Sequence, residues 1–265
     1  MPFDLDRRTV LRAAGAAALM PSVALKASAQ SRALDVPYVP TPEHIVEAML
    51  RLAKPTPQDF LVDLGCGDGR IPVTAALKYS VRGFGVDLNP ERIKEARANA
   101  VKAGVTDKVE FVEGDLFKTD FKKASVLTLY LLPQVNMRLR PSILEMKPGT
   151  RVVSHAFHME DWKADATEQY DFRTVHYWMV PTQVAGRWSG TAGSAKVELE
   201  LEQKFQEITG GSATVDGKPA TLGLGKVSGE QVALALKLAD GQSLAIDARL
   251  AGGSLEGAGI KLVRR

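Results

Sequence analysis

The chain has 265 residues, of which 45% are hydrophobic and 25% charged, and its formal net charge is +3. This composition is typical of a globular protein with one large or two small domains. Acidic and basic residues are mixed along the chain, so nothing indicates a nucleic-acid partner. The single cysteine, Cys66, excludes an intramolecular disulfide.

The first 29 residues have the pattern of an export signal. An arginine pair at positions 7–8 precedes an apolar run, 13–25, which is too short to span a bilayer and ends in the small-residue pattern of residues 27–29. We therefore predict a twin-arginine signal and a periplasmic mature protein. The alternatives are a short helix or disordered tail, or translation from Met20, which would leave a cytoplasmic protein.

Strands and helices alternate over the next part of the chain. Helical spacing of apolar residues and helix-start prolines predict helices in TPEHIVEAMLRLA, IPVTAALKYS, PERIKEARANAVKAG and PQVNMRLRPSILEMKPG. Short apolar runs predict strands in DFLVDLG, VRGFGVDLN, KVEFVEGDL, ASVLTLYLL and TRVVSHAF. This alternation implies βαβ units, hence an α/β domain over residues 30–185 with a Rossmann-like, doubly wound parallel sheet.

From Gly186 the pattern changes to strict alternation. KVELELEQKF, ATVDGKPATLGL and VALALKLADGQSLAIDARL predict antiparallel strands joined by tight Asp-Gly turns. We therefore expect residues 186–265 to form a small all-β domain, either a meander or a lipocalin-like barrel, the latter suggested by the Gly-x-Trp at residues 186–188. This domain is a candidate surface for contact with the cell envelope.

A glycine-rich turn, DLGCGDGR, follows the first predicted strand. Gly65 and Gly67 permit a ligand to approach the backbone closely, and Cys66 between them is a small filler of the same turn. Asp63 would repel the pyrophosphate of a dinucleotide, and the spacing is Gly-x-Gly-x-Gly instead of the dinucleotide fingerprint. An acid at this strand end favours a cation, which indicates S-adenosylmethionine, with its sulfonium and ammonium groups.

Two more acids follow strand ends in the way this ligand requires. Asp87, about twenty residues after the glycines, would accept hydrogen bonds from ribose hydroxyls, next to Leu88. Asp115 would accept a hydrogen bond from the adenine amino group while Leu116 or Phe117 packs on the ring. The alternative is that these acids have only a structural role, as caps of turns or helices.

With these residues in place, the chain resembles class I S-adenosylmethionine-dependent methyltransferases. PYVPTPEHIVEAMLRLA, DLGCGDGRIPVTAA, YLLPQVN and MKPGTRVVSHAF are similar to broad-specificity archaeal protein-lysine methyltransferases and to their mitochondrial relatives. The resemblance covers residues 36–180. It implies methyl transfer to a lysine amine of a protein.

The resemblance also implies roles for single residues. Asp63, Gly65 and Gly67 would hold the methionine part of the cofactor. Tyr38 and Thr41 would border the lysine channel, and Tyr130 and Leu131 would face the transferred methyl group. These implications make Tyr38, Thr41 and Tyr130 the candidate catalytic residues.

Other possibilities remain open at this stage. An exported or inactive module that only binds S-adenosylmethionine, or an N-methyltransferase acting on a small amine, would fit the same motifs. The Asn-Pro-Pro-Tyr type motif of nucleobase methylation is absent from the end of the fourth strand. His155 and His158 lack a matching cluster of metal ligands, so we expect local hydrogen bonding there and no metal.

Overall fold

The computed structural model describes residues 38–265, and the predicted export signal lies outside them. The helices are α1 (Glu43–Ala53), α2 (Arg70–Tyr79), α3 (Pro90–Ala103) and α4 (Pro133–Leu144). The first seven strands are β1 (Phe60–Leu64), β2 (Arg82–Asp87), β3 (Val109–Glu113), β4 (Val126–Leu129), β5 (Arg151–His155), β6 (Ala166–Tyr170) and β7 (Arg173–Met179). In the part of the chain that the structure describes, no helix is long and apolar enough to cross a membrane.

These seven strands form one sheet in the order β3-β2-β1-β4-β5-β7-β6. The first five are parallel, as the sequence predicts, and the chain order changes direction between β1 and β4. The hairpin of β6 and β7 was not predicted, and it adds two antiparallel strands beside β5. The α/β part is therefore a mixed sheet with a parallel centre.

Alternate side chains of the central strands are buried on opposite faces of this sheet. On one face Leu61, Val126 and Val153 pack with α1 and α2. On the other face Leu127 and Val152 pack with α4 and with two tryptophans. Because both faces are covered, the strands are nearly continuous apolar runs, which is the pattern that predicted them.

The remaining strands form a closed antiparallel barrel. They are β8 (Gly186–Ala192), β9 (Ala195–Lys204), β10 (Glu207–Val215), β11 (Lys218–Leu222), β12 (Gly225–Ser228), β13 (Gln231–Lys237), β14 (Ser243–Ala251), β15 (Ser254–Gly257) and β16 (Ile260–Arg264). Pairing of β9 with β10 closes a ring of β8, β9, β10, β12, β13, β14, β15 and β16, and β11 pairs with both β10 and β13. The predicted fold class, a methyltransferase-type α/β domain followed by a small β structure, is confirmed in its barrel form.

The barrel and the α/β part share contacts near the β6–β7 hairpin. Phe205 packs on Trp162 with ring centroids 6.0 Å apart, and Lys226 lies 3.1 Å from Asp165. Trp162, Trp178 and Trp188 are all fully buried. The tryptophans therefore fill the cores of both parts, and Trp162 also closes the junction between the two sheets.

Candidate active site

A cleft lies at the carboxyl ends of β1, β2 and β4, beside the point where the strand order changes direction. This is where open α/β sheets bind their ligands. Its empty volume is about 930 Å³, part of which is open to solvent. It is lined by Tyr38, Val39, Pro40, Thr41, Asp63, Gly65, Cys66, Gly67, Asp68, Arg70, Ile71, Asp87, Asn89, Arg92, Tyr130, Leu131, Leu132 and Phe157.

The glycine turn forms the floor of this cleft. Backbone N–H groups of Gly65 and Cys66 donate to the carbonyl of Val86, and that of Gly67 donates to Oδ2 of Asp87 at 2.9 Å. Gly65 and Gly67 both have positive φ. A Cβ on Gly67 would lie 2.4 Å from Tyr38, so the absence of a side chain is required here.

Asp63 is buried at the end of β1, with only 2% of its surface exposed. Thr128 donates to its Oδ1 at 2.7 Å. Burial, together with the negative charges of Asp87 and Asp68, raises the pKa of this carboxyl to about 7, although the hydrogen bond from Thr128 works in the opposite direction. A cation in the cleft would relieve this unfavourable concentration of negative charge.

Arg70 connects the glycine turn to the segment before α1. Arg70 binds both carboxylate oxygens of Asp68, with Nη2 2.6 Å from Oδ2, and its Nη1 donates to the carbonyl of Thr41 at 2.8 Å. The paired guanidinium holds the pKa of Asp68 below its usual range although burial works in the opposite direction. Arg70 therefore fixes Thr41 beside the turn.

Tyr38 covers the glycine turn. Its ring lies against Gly67, and the guanidinium carbon of Arg92 lies 4.4 Å from the ring centroid. Burial raises the pKa of the phenol, as does the charge of Asp68. The ring is therefore held between the turn and a cation from α3.

Tyr130 lies at the other side of the cleft, directly after β4. Its ring stacks on His155 with centroids 3.9 Å apart and lies 6.2 Å from the ring of Phe157. Leu131 follows and contacts Gly65, since a Cβ on that glycine would lie 2.8 Å from Leu131 Cδ2. This side of the cleft is thus aromatic and apolar.

The structure brings most of the sequence-predicted site residues together. Tyr38, Thr41, Asp63, Gly65, Cys66, Gly67, Asp87, Tyr130 and Leu131 line the cleft, whereas Leu88, Asp115 and Leu116 are absent from its lining. The Oδ1 atom of Asp115 accepts from the backbone of Phe117, and Leu116 packs partly against the core. Burial raises the pKa of the Cys66 thiol, which fits a filler rather than a nucleophile.

Sequence reasoning missed several lining residues. Asp68 and Arg70 belong to the quoted glycine motif, and Asn89 caps α3 two residues after Asp87. Arg92 and Phe157 carried no signal, because their contribution depends on side-chain direction. His155 was expected to bond locally, but its Nδ1 lies 3.3 Å from Oγ1 of Thr41, 114 positions away.

These features fit S-adenosylmethionine on two grounds. The glycine turn, in which contacts with Leu131 and Tyr38 leave no room for a Cβ, borders the cleft, and a buried carboxyl with a raised pKa favours a cationic ligand. Among residues 38–265, no group of three or more His, Cys, Asp or Glu side chains is placed to hold a metal ion.

Known proteins match this part of the chain. A family model described as the ANTKMT methyltransferase domain matches residues 63–166. A protein-lysine N-methyltransferase of Saccharolobus islandicus (strain REY15A) is 51% identical over 129 residues, which are 48% of this chain and 80% of that protein. An adenine nucleotide translocase lysine N-methyltransferase of Mus musculus is 36% identical over 132 residues, 49% of this chain and 57% of that protein.

A solved structure also matches. The crystal structure of an RNA methyltransferase from Salinibacter ruber in complex with S-adenosyl-L-homocysteine has a TM-score of 0.54 and 49% sequence identity. The match covers 55% of this chain and 96% of that chain. The matched length therefore corresponds to about half of this protein.

Fold, cleft and matches together define an S-adenosylmethionine-dependent methyltransferase. The chain belongs to the protein-lysine N-methyltransferase family, which includes the archaeal and mouse enzymes named above. The resemblance, the enzymatic activity and the cofactor predicted from the sequence are confirmed.

Proposed function

We propose that the chain methylates the side-chain amine of lysine in a protein substrate. The observation that carries the proposal is a cleft lining that combines acidic residues with aromatic and apolar ones. Asp63 and Asp87 lie at strand ends and Asp68 lies in the glycine turn. The aromatic and apolar residues are Tyr38, Val39 and Pro40 before α1 and Tyr130 and Phe157 across the cleft. An apolar wall suits the aliphatic stem of lysine, and family membership supports this acceptor.

The acidic residues and the glycine turn would hold the cofactor. We assign the methionine part to Asp63, Gly65 and Gly67 and the ribose to Asp87, whose two oxygens already accept from the backbone of Gly67 and Asn89. Each carboxylate oxygen can accept more than one bond. When bound, S-adenosylmethionine supplies a methyl group on a positively charged sulfur.

Three further residues would complete the cofactor site outside the cleft lining. Asp115 remains our candidate for the adenine amino group, with Leu116 beside the ring. Leu88, directly after Asp87, would border the ribose. Asp115 is only partly exposed and its carboxylate lies 3.8 Å from Lys118, so it retains oxygen atoms for a ligand.

The residues bordering the predicted lysine channel would prepare the acceptor. Tyr38, Thr41 and Tyr130 would align the lysine amine, since displacement at a methyl group depends mainly on alignment. The amine must be neutral before it can attack, and a dehydrated channel close to a cation lowers its pKa. No strong general base is therefore required from the protein.

Transfer of label tests the acceptor class. Residues 30–265 are incubated with methyl-tritiated S-adenosylmethionine and separate protein and RNA extracts of the source cell, and the products are hydrolysed. We expect label in methyl-lysine. Label in RNA or in a small amine alone would contradict the proposal, and binding without transfer to any extract would favour a cofactor-binding module.

Calorimetric titration with S-adenosylhomocysteine tests the assignment of Asp87. Asp87→Ala should weaken cofactor binding by about 1 to 3 kcal/mol, because polar partners lose their acceptor. Asp107→Ala is the matched control, since Asp107 is exposed and absent from the cleft. Equal affinity of the two variants would remove Asp87 from the site.

We further propose that residues 1–29 direct twin-arginine export and that the outer surface of the barrel contacts the cell envelope. The arginine pair and the small-residue motif support export. None of the barrel residues lines the cleft, which leaves the barrel surface available for another role. Intact-mass measurement of the native protein tests export: a chain beginning at Gln30 is expected, and one beginning at Met20 would contradict it.

A further inference from the structure

His155 is a buried group beside the cleft to which the proposed function gives no role. It is the last residue of β5 and only 1% of its surface is exposed. It does not itself line the cleft, but it contacts two residues that do.

Those two contacts lie on different sides of the imidazole. One is the stack on Tyr130, with ring centroids 3.9 Å apart and planes inclined by 30°. The other joins Nδ1 of His155 to Oγ1 of Thr41 over 3.3 Å. Tyr130 follows β4 and Thr41 precedes α1, so one ring connects two distant parts of the chain.

Few other polar or aromatic groups hold these two neighbours. Among the described residues, His155 is the one hydrogen-bond partner of the Thr41 side chain, while the Thr41 carbonyl accepts from Arg70. The next aromatic neighbour of Tyr130 is Phe157, at 6.2 Å. The imidazole is therefore the nearest aromatic neighbour of the Tyr130 ring among the described residues, and it connects that ring to Thr41.

We propose that His155 is a positioning residue for methyl transfer, holding Tyr130 and Thr41 in the arrangement that aligns the acceptor amine. This inference rests on the proposed function, in which both neighbours border the lysine channel. Small displacements of such groups lower the rate strongly, because alignment is the main contribution the protein makes to the displacement.

The surroundings keep the imidazole uncharged. Burial, and to a smaller extent the positive charges of Arg173 and His44, lower the pKa of His155 to about 4. A neutral ring adds no positive charge beside a cationic methyl donor and an amine that must lose its proton. The electrostatics are thus compatible with the positioning role.

Two substitutions separate the two contacts. His155→Phe keeps an aromatic ring against Tyr130 and removes the bond to Thr41, whereas His155→Asn keeps a polar atom near the place of Nδ1 and removes the stack. His158→Asn is the matched control, because His158 is exposed and its Nδ1 accepts only from the nearby backbone of Glu160.

Kinetics on a lysine-containing acceptor protein give the first test. We expect kcat to fall about 10-fold or more in both His155 variants, with KM for S-adenosylmethionine within about twofold of the wild-type value. The control variant should match the wild type. Unchanged kcat in both His155 variants would overturn the proposal.

A double-mutant cycle tests whether the bond between His155 and Thr41 contributes to catalysis. Thr41→Val should lower kcat like His155→Phe, and the combined variant should lose less than the product of the two separate effects. Independent, multiplicative losses would mean that the bond between them does not act in catalysis.

Ligand binding provides a measurement that needs no turnover. Calorimetry would compare S-adenosylhomocysteine with sinefungin, its analogue that carries an amine toward the acceptor side. His155→Phe should weaken sinefungin at least about 5-fold and S-adenosylhomocysteine less than about twofold. Equal weakening of both ligands would indicate general structural damage and would overturn the proposal. Because this measurement needs no acceptor protein, its result is separate from the test of the proposed function.

Discussion

At the scale of single residues, two effects of an alanine at Gly67 can be distinguished experimentally. One is backbone strain from its positive φ, and the other is the loss of close contact within the cleft. Gly67 and Gly104 have φ of 54° and 67°, but a Cβ on Gly67 would meet Tyr38 whereas nothing lies within 4 Å of one on Gly104. Either alanine substitution should destabilise the fold by about 1 kcal/mol through backbone strain. Only Gly67→Ala should also weaken S-adenosylhomocysteine, by about 10-fold or more.

Thermal unfolding and calorimetry on the two glycine variants check this. Equal ligand affinity of Gly67→Ala and Gly104→Ala would contradict a close contact between the turn and the ligand. It would also show that Tyr38 can move away without cost.

The buried carboxyl of Asp63 predicts that cofactor binding depends on pH. Its pKa of about 7 in the free protein means that it is mostly protonated at pH 6. A bound cation lowers that pKa, so binding of S-adenosylmethionine at pH 6 should release up to about one proton, and affinity should rise as pH increases through 7. Calorimetry in buffers of different ionisation enthalpy measures the release.

Asp63→Asn is the control, because the amide cannot ionise but can still accept from Thr128. Its proton release should be absent, and its affinity should be almost independent of pH in this range. The same release from wild type and variant would assign the proton to another group.

Residues at strand ends could be predicted from the sequence, whereas residues that act through side-chain direction could not. Asp63 and Asp87 end neighbouring parallel strands, whose carboxyl ends share one edge of the sheet. Arg92 reaches the cleft by extending from α3 over Tyr38. The position of His155 against Thr41 depends on the packing of β5 beside α1, which no local pattern specifies.

At the scale of elements, the hairpin of β6 and β7 has an unusual turn. Asp171 and Phe172 have φ of 46° and 68°, a pair close to the 50° and 75° of Asp216 and Gly217 in the turn after β10. Phe172 is fully exposed, so its ring contributes no packing in the described structure. Glycine is the residue favoured at such a position.

Phe172→Gly should therefore stabilise the protein by about 0.5–1 kcal/mol, since it relieves a strained backbone without loss of buried surface. Phe172→Ala is the matched control, because it removes the ring but retains a Cβ at positive φ. Denaturant unfolding measures both. A loss of stability in the glycine variant would show that the ring has a packing partner.

The same turn explains why this hairpin was not predicted. Its first strand, ATEQY, is mainly polar and only partly buried, and its turn has no glycine or proline to mark it. The five parallel strands were predicted because burial on both faces makes them apolar runs, and the barrel strands because their exposure alternates. The sequence pattern did not distinguish a meander from a barrel, because it does not specify that β9 pairs with β10 to close the ring.

At the scale of the whole molecule, the barrel should stabilise the α/β part without contributing to the cofactor site. No residue after Gly186 lines the cleft. Phe205 covers Trp162, so removing the barrel would expose the apolar core at the junction. The solved chain from Salinibacter ruber, 49% identical and matched over 96% of its length, corresponds to only 55% of this chain and contains bound S-adenosylhomocysteine.

We expect residues 30–185 to bind S-adenosylhomocysteine within about twofold of the full chain, with a clearly lower melting temperature. Phe205→Ala in the full chain should show the same pattern more weakly, about 2 kcal/mol in stability, if the truncated chain does not fold. A large loss of affinity in the full-length variant would instead mean that the barrel completes the cofactor site.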